Sequence, residues 1–275
     1  GHVAILAAGN GRLLHVWNSL CSNRHGLIVP SRCPVSDSAI WGRAGAVVVP
    51  RSGNLLVATG NAPWNGRTNW GDAVLVLSPK AKLMGNYTPT NTQQLNATDL
   101  DLGSTSPVYL ASKLIAQGGK DGKIRLLSLA RLRGRAPHTG RELQLVSTPS
   151  GADLFTAPAV WRSGKRVWLI AADGGAMQAW SLRKGHLHSV WRVGHGGTSP
   201  VLAGGLLWVY DPSGGLRVYR PASGSLVATL GAGSGHWNSP IVTDGLVALP
   251  EGDANDHSTS GVLDIWRLRK VPKSG

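Results

Sequence analysis

Long apolar runs are missing. None approaches the ~18 residues of a membrane span, and the opening stretch HVAILAA (His2 to Ala8) is short and lacks the basic leader of a signal peptide. The chain opens at Gly1 rather than methionine, so either a leader has been removed or upstream sequence is missing. Acidic residues are also scarce: 14 Asp and Glu stand against 28 Lys and Arg, for a formal net charge of +14. At low salt such a chain is drawn to phosphate, carboxylated polymer or an acidic membrane surface. The cations are scattered, with local density only in RLRGR (Arg131 to Arg135) and RLRK (Arg267 to Lys270). Nucleic-acid sites usually show a basic stripe or stacking aromatics at a recognisable spacing, so no dedicated nucleic-acid partner is expected.

Cysteine is nearly absent. Cys21 and Cys33 are the only two, in a polar loop rich in Ser, Pro and Arg. A disulfide there would contribute roughly 2–3 kcal/mol by the chain-entropy estimate and would imply an oxidising compartment. Two reduced thiols are the alternative, and a metal site that also used His25 would have too few ligands. The disulfide is the favoured expectation, with a secreted, periplasmic or cell-surface location.

What the chain does have is glycine, 37 residues without a fixed period, and 42% hydrophobic residues. The first excludes collagen and the second excludes disorder. A repeat is visible: a glycine-bounded turn followed by an apolar strand, in GRLLHVW (Gly11 to Trp17), GDAVLVL (Gly71 to Leu77), GKIRLLS (Gly122 to Ser128), GAMQAWS (Gly175 to Ser181), GLRVYR (Gly215 to Arg220) and GVLDIW (Gly261 to Trp266). Each copy follows another apolar strand, so each pair reads as a hairpin. All copies but the first carry an earlier strand, such as SPVYL (Ser106 to Leu110), and several a fourth, such as LMGNYTP and LVATLG. Four-stranded units with no amphipathic helix between them predict an all-β fold, a β-propeller of about six blades in one domain over residues 1–275. A β-sandwich explains the strands but not the regular order of four. The first unit lacks its opening strand and the last its closing one. This suggests a loosely closed six-bladed ring or a piece of a seven- or eight-bladed one, with open edges that offer a route to a homo-oligomer.

In an up-and-down blade, the loop entering the first strand and the turn after the second lie on one side. That rule groups Asn61, Asp101 and Lys120, and on the same side expects Asp173, Asp211, His236, Trp237, Asn238 and the loop EGDANDH (Glu251 to His257). Functional residues concentrate on such loops. Taken singly, each has a local reading as turn punctuation.

The series ATGNAPWN (Ala58 to Asn65), GD (Gly71-Asp72), DLDLGSTSPVYL (Asp99 to Leu110) and GGKDGKIRLL (Gly118 to Leu127) resembles the pyrroloquinoline-quinone (PQQ) repeat propellers, specifically the quinoprotein alcohol dehydrogenases. The resemblance implies a calcium ligand at Asn61, a general base at Asp101 with Asp99 as second choice, and a quinone-binding cation at Lys120. The types suit the chemistry: hard cations take oxygen ligands, a quinone oxygen needs a positive neighbour, and a carboxylate accepts an alcohol proton. PQQ and calcium would be the cofactors. The chain departs from that family in three ways. It has no adjacent-cysteine disulfide, no counterpart of the upstream calcium-binding glutamate, and no C-x-x-C-H heme motif. PQQ-repeat relatives include non-enzymatic members such as an outer-membrane assembly lipoprotein. The leading expectation is therefore a binding or scaffolding module with a degenerate quinoprotein site, whose partner is a protein or a cell-envelope polymer. A PQQ- and calcium-dependent dehydrogenase of alcohols or sugars is the first alternative. The second is a carbohydrate-binding surface module that stacks sugars on Trp64, Trp70 and Trp237.

Overall fold

The computed structural model describes residues 1–29, 32–252 and 261–267. Most of the EGDANDH loop and all of RLRK beyond Arg267 lie outside the described residues. Among those described, the strands form six sheets, each a run of consecutive neighbours. The first is a hairpin, β1 (His2–Leu6) with β2 (Leu13–Asn18). The next two are four-stranded: β3 (Val47–Val48), β4 (Leu55–Ala58), β5 (Val74–Leu77) and β6 (Leu83–Tyr87), then β7 (Val108–Ala111), β8 (Leu114–Gly118), β9 (Lys123–Ser128) and β10 (Gln144–Ser147). The fourth comprises β11 (Ala159–Ser163), β12 (Arg166–Ala172), β13 (Met177–Arg183) and β14 (His186–Val193). The fifth comprises β15 (Val201–Ala203), β16 (Leu206–Tyr210), β17 (Leu216–Tyr219) and β18 (Leu226–Leu230). The sixth has three strands, β19 (Ile241–Thr243), β20 (Leu246–Pro250) and β21 (Leu263–Arg267). This is the architecture of a β-propeller of about six blades.

The chain forms two compact units, one of Gly1–Ala157 with Arg183–Leu187, the other of Pro158–Leu182 with the described residues from His188 on. Within each, strand periodicity explains the packing. Side chains alternate between the two faces of a strand, and the middle strands of the blades are apolar on both. In β4 and β5, Val57, Leu75 and Leu77 pack with Val3 and Trp17 of the first sheet. Their alternates Leu56, Ala58, Val74 and Val76 pack with Ile115 and Leu127 of the third. In the second unit, Leu207 and Val209 of β16 join Ile170 and Ala179, while Trp208 and Tyr210 join Val247 and Leu249. A fully buried side chain of this kind contributes about 1.5–3 kcal/mol, so inter-sheet burial dominates the stability.

Two features depart from the expected pattern. The connection from β6 to β7 contains a helix, α1 (Thr92–Ala97), which buries Thr92 and Leu95, and it ends in a 3₁₀ turn at Leu102–Ser104. The hairpin from β4 to β5 does not close at a glycine but carries residues 59–73 between its strands.

Cys21 and Cys33 are joined in a disulfide. The loop it closes is also held by the Asn18 side chain, whose amide donates to the carbonyls of Arg24 and Gly26 at 2.7 and 3.0 Å. Cys33→Ser is expected to cost about 3 kcal/mol, the chain-entropy value for a loop of this size, read as a lower urea midpoint. An unchanged midpoint would assign the order of the loop to Asn18 alone.

Candidate functional site

The long β4–β5 connection is built inward from Thr59. Its buried hydroxyl bonds the carbonyls of Trp70 and Ala73 at 2.5 and 3.2 Å and accepts the Ala73 N–H at 2.9 Å, pinching the base of the loop. Gly60 follows, and its lack of a side chain is required: a Cβ there would overlap the Asp101 carboxylate. Gly103 is equally constrained, because a Cβ would sit 2.6 Å from the Gly60 nitrogen. The TGN turn and the Asp101–Ser104 turn therefore meet backbone to backbone.

That contact brings the sequence candidates together. The Asn61 N–H donates to Asp101 Oδ1 at 2.6 Å, and the Asn61 side-chain amide donates to Asp99 Oδ1 at 2.8 Å. Lys120 Nζ lies 2.6 Å from Asp101 Oδ2 and 3.1 Å from Asp99 Oδ2. The Lys120 backbone N–H donates to the Asp101 carbonyl at 3.0 Å. Burial disfavours the Lys120 charge, but the hydrogen bonds to Asp101 and Asp99 outweigh it and hold its pKa above the ordinary lysine value. Asp99 differs from its neighbour: its side chain is 80% exposed, against 10% for Asp101.

Sequence reasoning missed two residues here. Trp41 lies beside the cluster, with the Lys120 ammonium 5.5 Å from its ring centre and the Phe155 ring centre at 6.0 Å. The ammonium distance is within the range of a cation–π contact, and Trp41 is 41% exposed. Asp72, which the sequence marked only as part of the GD pair and to which it assigned no role, is fully buried. Its N–H donates to the Gly60 carbonyl at 3.0 Å, and its Oδ1 accepts the Leu102 N–H at 2.9 Å, so it clamps the two turns. Its Oδ2 has no hydrogen-bond partner. Burial raises the Asp72 pKa to about 7, against the opposing Leu102 N–H and with a further upward push from the Asp101 charge.

Behind the clamp, Gln117 Nε2 donates to the carbonyls of Leu102 and Thr105 at 2.7 and 2.9 Å, fixing the 3₁₀ turn from the other side. Arg125, buried within β9, forms a forked pair with Asp121. Burial opposes its charge, but Asp121 more than compensates and raises its pKa.

The remaining sequence candidates fall in the second unit, where local bonds account for much of their geometry. Asp173 Oδ1 accepts the N–H groups of Gly175 and Ala176, Asp211 pairs with Arg217 and Ser213, and Asn238 donates to the Pro250 carbonyl. Trp70 does not serve as a sugar platform: it is 1% exposed and belongs to the core of the first unit. Trp64 is half-buried and pairs with Trp70 through a β-bridge.

Calcium takes six to eight oxygen ligands. The cluster offers the Asn61 amide oxygen, buried and without a partner, and two carboxylates already bonded to an ammonium. No group of three or more His, Cys, Asp or Glu among the described residues is arranged to hold a metal. This donor set does not fit a calcium ion.

No protein-family model matches the chain, and no curated protein matches its sequence. Solved structures do resemble it in fold. The quinohemoprotein alcohol dehydrogenase from Comamonas testosteroni matches with a TM-score of 0.59 at 15% identity, over 91% of this chain and 52% of that one. The quinohemoprotein alcohol dehydrogenase ADHIIG from Pseudomonas putida HK5 matches with a TM-score of 0.57 at 12% identity, over 92% and 52%. The computationally designed Ika8 protein matches with a TM-score of 0.52 at 14% identity, over 98% and 65%. The chain thus has the fold of the PQQ-type propellers and spans about half the length of the two dehydrogenases.

The Asp72 clamp yields a pH expectation. A carboxyl whose pKa is raised on folding binds more protons in the folded state, so stability falls as pH rises from about 4 to about 7 and levels off above. Asp72→Asn keeps an acceptor for Leu102 but cannot ionise. It is expected to flatten this slope in a denaturation series, matching the parent near pH 4 and exceeding it at pH 8 by on the order of a few kcal/mol. Parallel curves would mean that Asp72 is ionised in the fold.

Proposed function

We propose that the chain is a single propeller domain that works as a binding or scaffolding module in a secreted or periplasmic compartment. In this reading Asn61, Asp99, Asp101 and Lys120 are a structural ion cluster, the remnant of a quinoprotein-type site. The observation that carries it is the Lys120 ammonium seated between Asp99 and Asp101. Both Asp101 oxygens are engaged, Oδ1 by the Asn61 N–H and Oδ2 by Lys120. The carboxylate that would remove an alcohol proton is turned into the protein, and general-base catalysis needs it within hydrogen-bond reach of a substrate. The disulfide supports the compartment, since such bonds persist where conditions are oxidising.

A second reading draws on two specific features. The unpartnered Asn61 oxygen is a spare ligand atom, and the open Trp41 ring beside Lys120 is a surface on which a flat anion could stack. These support a PQQ- and calcium-dependent dehydrogenase of alcohols or sugars, its metal shell completed from outside this chain.

Calorimetric titration of PQQ, with and without calcium, separates the two at physiological salt, where screening beyond about 8 Å suppresses unspecific attraction to a basic protein. The scaffold reading expects no calcium-dependent one-site binding and no dye reduction with alcohols or sugars. One-site, calcium-dependent binding that is lost in Lys120→Ala would establish the dehydrogenase-type site instead.

The structural role makes its own demand. Lys120→Met leaves two carboxylates facing each other and is expected to cost on the order of 1–3 kcal/mol, whereas Asp99→Asn, at an exposed position, should cost under about 1 kcal/mol. Equal costs in chemical denaturation would contradict this division of labour.

A further inference from the structure

The segment after β9 is the most one-sided in charge of the described chain. From Gly122 to Arg141 it carries Lys123, Arg125, Arg131, Arg133, Arg135 and Arg141 and no Asp or Glu. The next acid, Glu142, is taken by the Tyr87 hydroxyl. Within this stretch residues 132–140 are not a loose loop. Arg133 bridges Gly85 antiparallel, the Asn86 N–H donates to the Leu132 carbonyl at 3.0 Å, and the Gly134 N–H donates to the Met84 carbonyl at 2.9 Å. The segment is thereby laid along the outer edge of β6.

Asn86 holds it there. Its side chain is fully buried, its Nδ2 donates to the Ala136 carbonyl at 2.9 Å, and its Oδ1 accepts the His138 N–H at 2.9 Å. Thr88 extends the attachment, donating to the His138 carbonyl and accepting from the Gly140 N–H, each at 2.9 Å. Leu132 turns inward, 2% exposed, while Arg131, Arg133 and Arg135 are exposed. No salt bridge among the described residues joins any of the three to a carboxylate. Gly66 packs against Pro137, which brings the exposed Arg67 to the same strip.

We propose that Arg131, Arg133 and Arg135 form a docking ridge for an acidic polysaccharide. The guanidinium fork matches carboxylate and sulfate oxygens two at a time. A backbone ordered before binding loses less entropy when the polymer arrives. The choice of a glycan follows from two observations. Single-stranded nucleic acid is usually held by aromatic platforms next to the cations, and the segment from Ala130 to Arg141 contains no Trp, Tyr or Phe. The disulfide points to a compartment outside the cytosol, where charged glycans are at hand. This inference rests on the binding-module reading and names a partner class for it, on a segment separate from the Lys120 cluster.

The test titrates the full chain with dextran sulfate, polygalacturonate and an oligothymidylate at about 150 mM salt, where long-range attraction is screened. The triple variant R131Q/R133Q/R135Q is compared with a control triple, R51Q/K80Q/K82Q, which removes the same charge from exposed positions elsewhere. At least one of the two glycans is expected to bind the parent. The ridge triple should weaken that binding by about tenfold or more and the control by less than about twofold, because each lost contact gives up released counterions. R131K/R133K/R135K, which keeps the charge and loses the fork, should fall between them, and it stands in should the glutamine variant fail to fold. Equal weakening by both triples, or no binding to either glycan, overturns the ridge. Tighter binding of the oligothymidylate overturns the glycan. None of these outcomes touches the PQQ titration, which decides between the scaffold and dehydrogenase readings on its own.

Discussion

Asp101 joins three connections of the chain at one point. Its two carboxylate oxygens take the Asn61 N–H and the Lys120 ammonium, and its carbonyl takes the Lys120 N–H. The next N–H in the chain, that of Leu102, goes to Asp72. Asn61 and Asp72 belong to the β4–β5 connection and Lys120 to the β8–β9 turn, so the position of the 3₁₀ turn, the TGN turn and the β8–β9 turn is set by a single side chain and its neighbours. Such a knot is worth having only if it is fully satisfied, because a buried charge without its partner costs several kcal/mol. The Asp72 and Asn61 side-chain oxygens are left without partners, and burial of the Asp72 carboxyl raises its pKa.

The polar knot is possible because the sheets beside it need no help. Strands such as β4, β5 and β16 bury apolar side chains on both faces, and that burial leaves the connections free to carry hydrogen-bonded networks instead of core. The same logic explains Asn86, a buried amide that spends its hydrogen bonds on a neighbouring loop, and Arg125, a buried guanidinium matched by Asp121. In each case a polar residue inside the fold fixes the course of a loop on its surface.

Strands were the legible part of the sequence because alternation and glycine turns are local signals. Leu56 and Val57 can be assigned to opposite faces without knowing what covers either. The grouping of Asn61, Asp101 and Lys120 was also legible, since it follows from blade connectivity. Asp72 was not: a GD pair at the start of a strand looks like a turn, and only tertiary contact with Leu102 reveals a clamp. Trp41 lies outside any strand, so no periodicity marks it. Helix α1 escaped because TQQLNA is too short to show an apolar period and is anchored by only two buried residues, Thr92 and Leu95. Trp70 looked like an exposed platform in a long polar loop, and the loop folds it into the core.

The account stands on the Lys120–Asp101 pair acting as a structural tie. A double-mutant cycle on Lys120→Met and Asp101→Asn, measured by urea denaturation at neutral pH, tests this most directly. A coupling energy of about 1–3 kcal/mol, the range for residues in one ion-pair network, is the result the account requires. A coupling near zero, with each single variant costing little, would mean that the turns are held by backbone contacts alone. The charged cluster would then be free to serve a ligand.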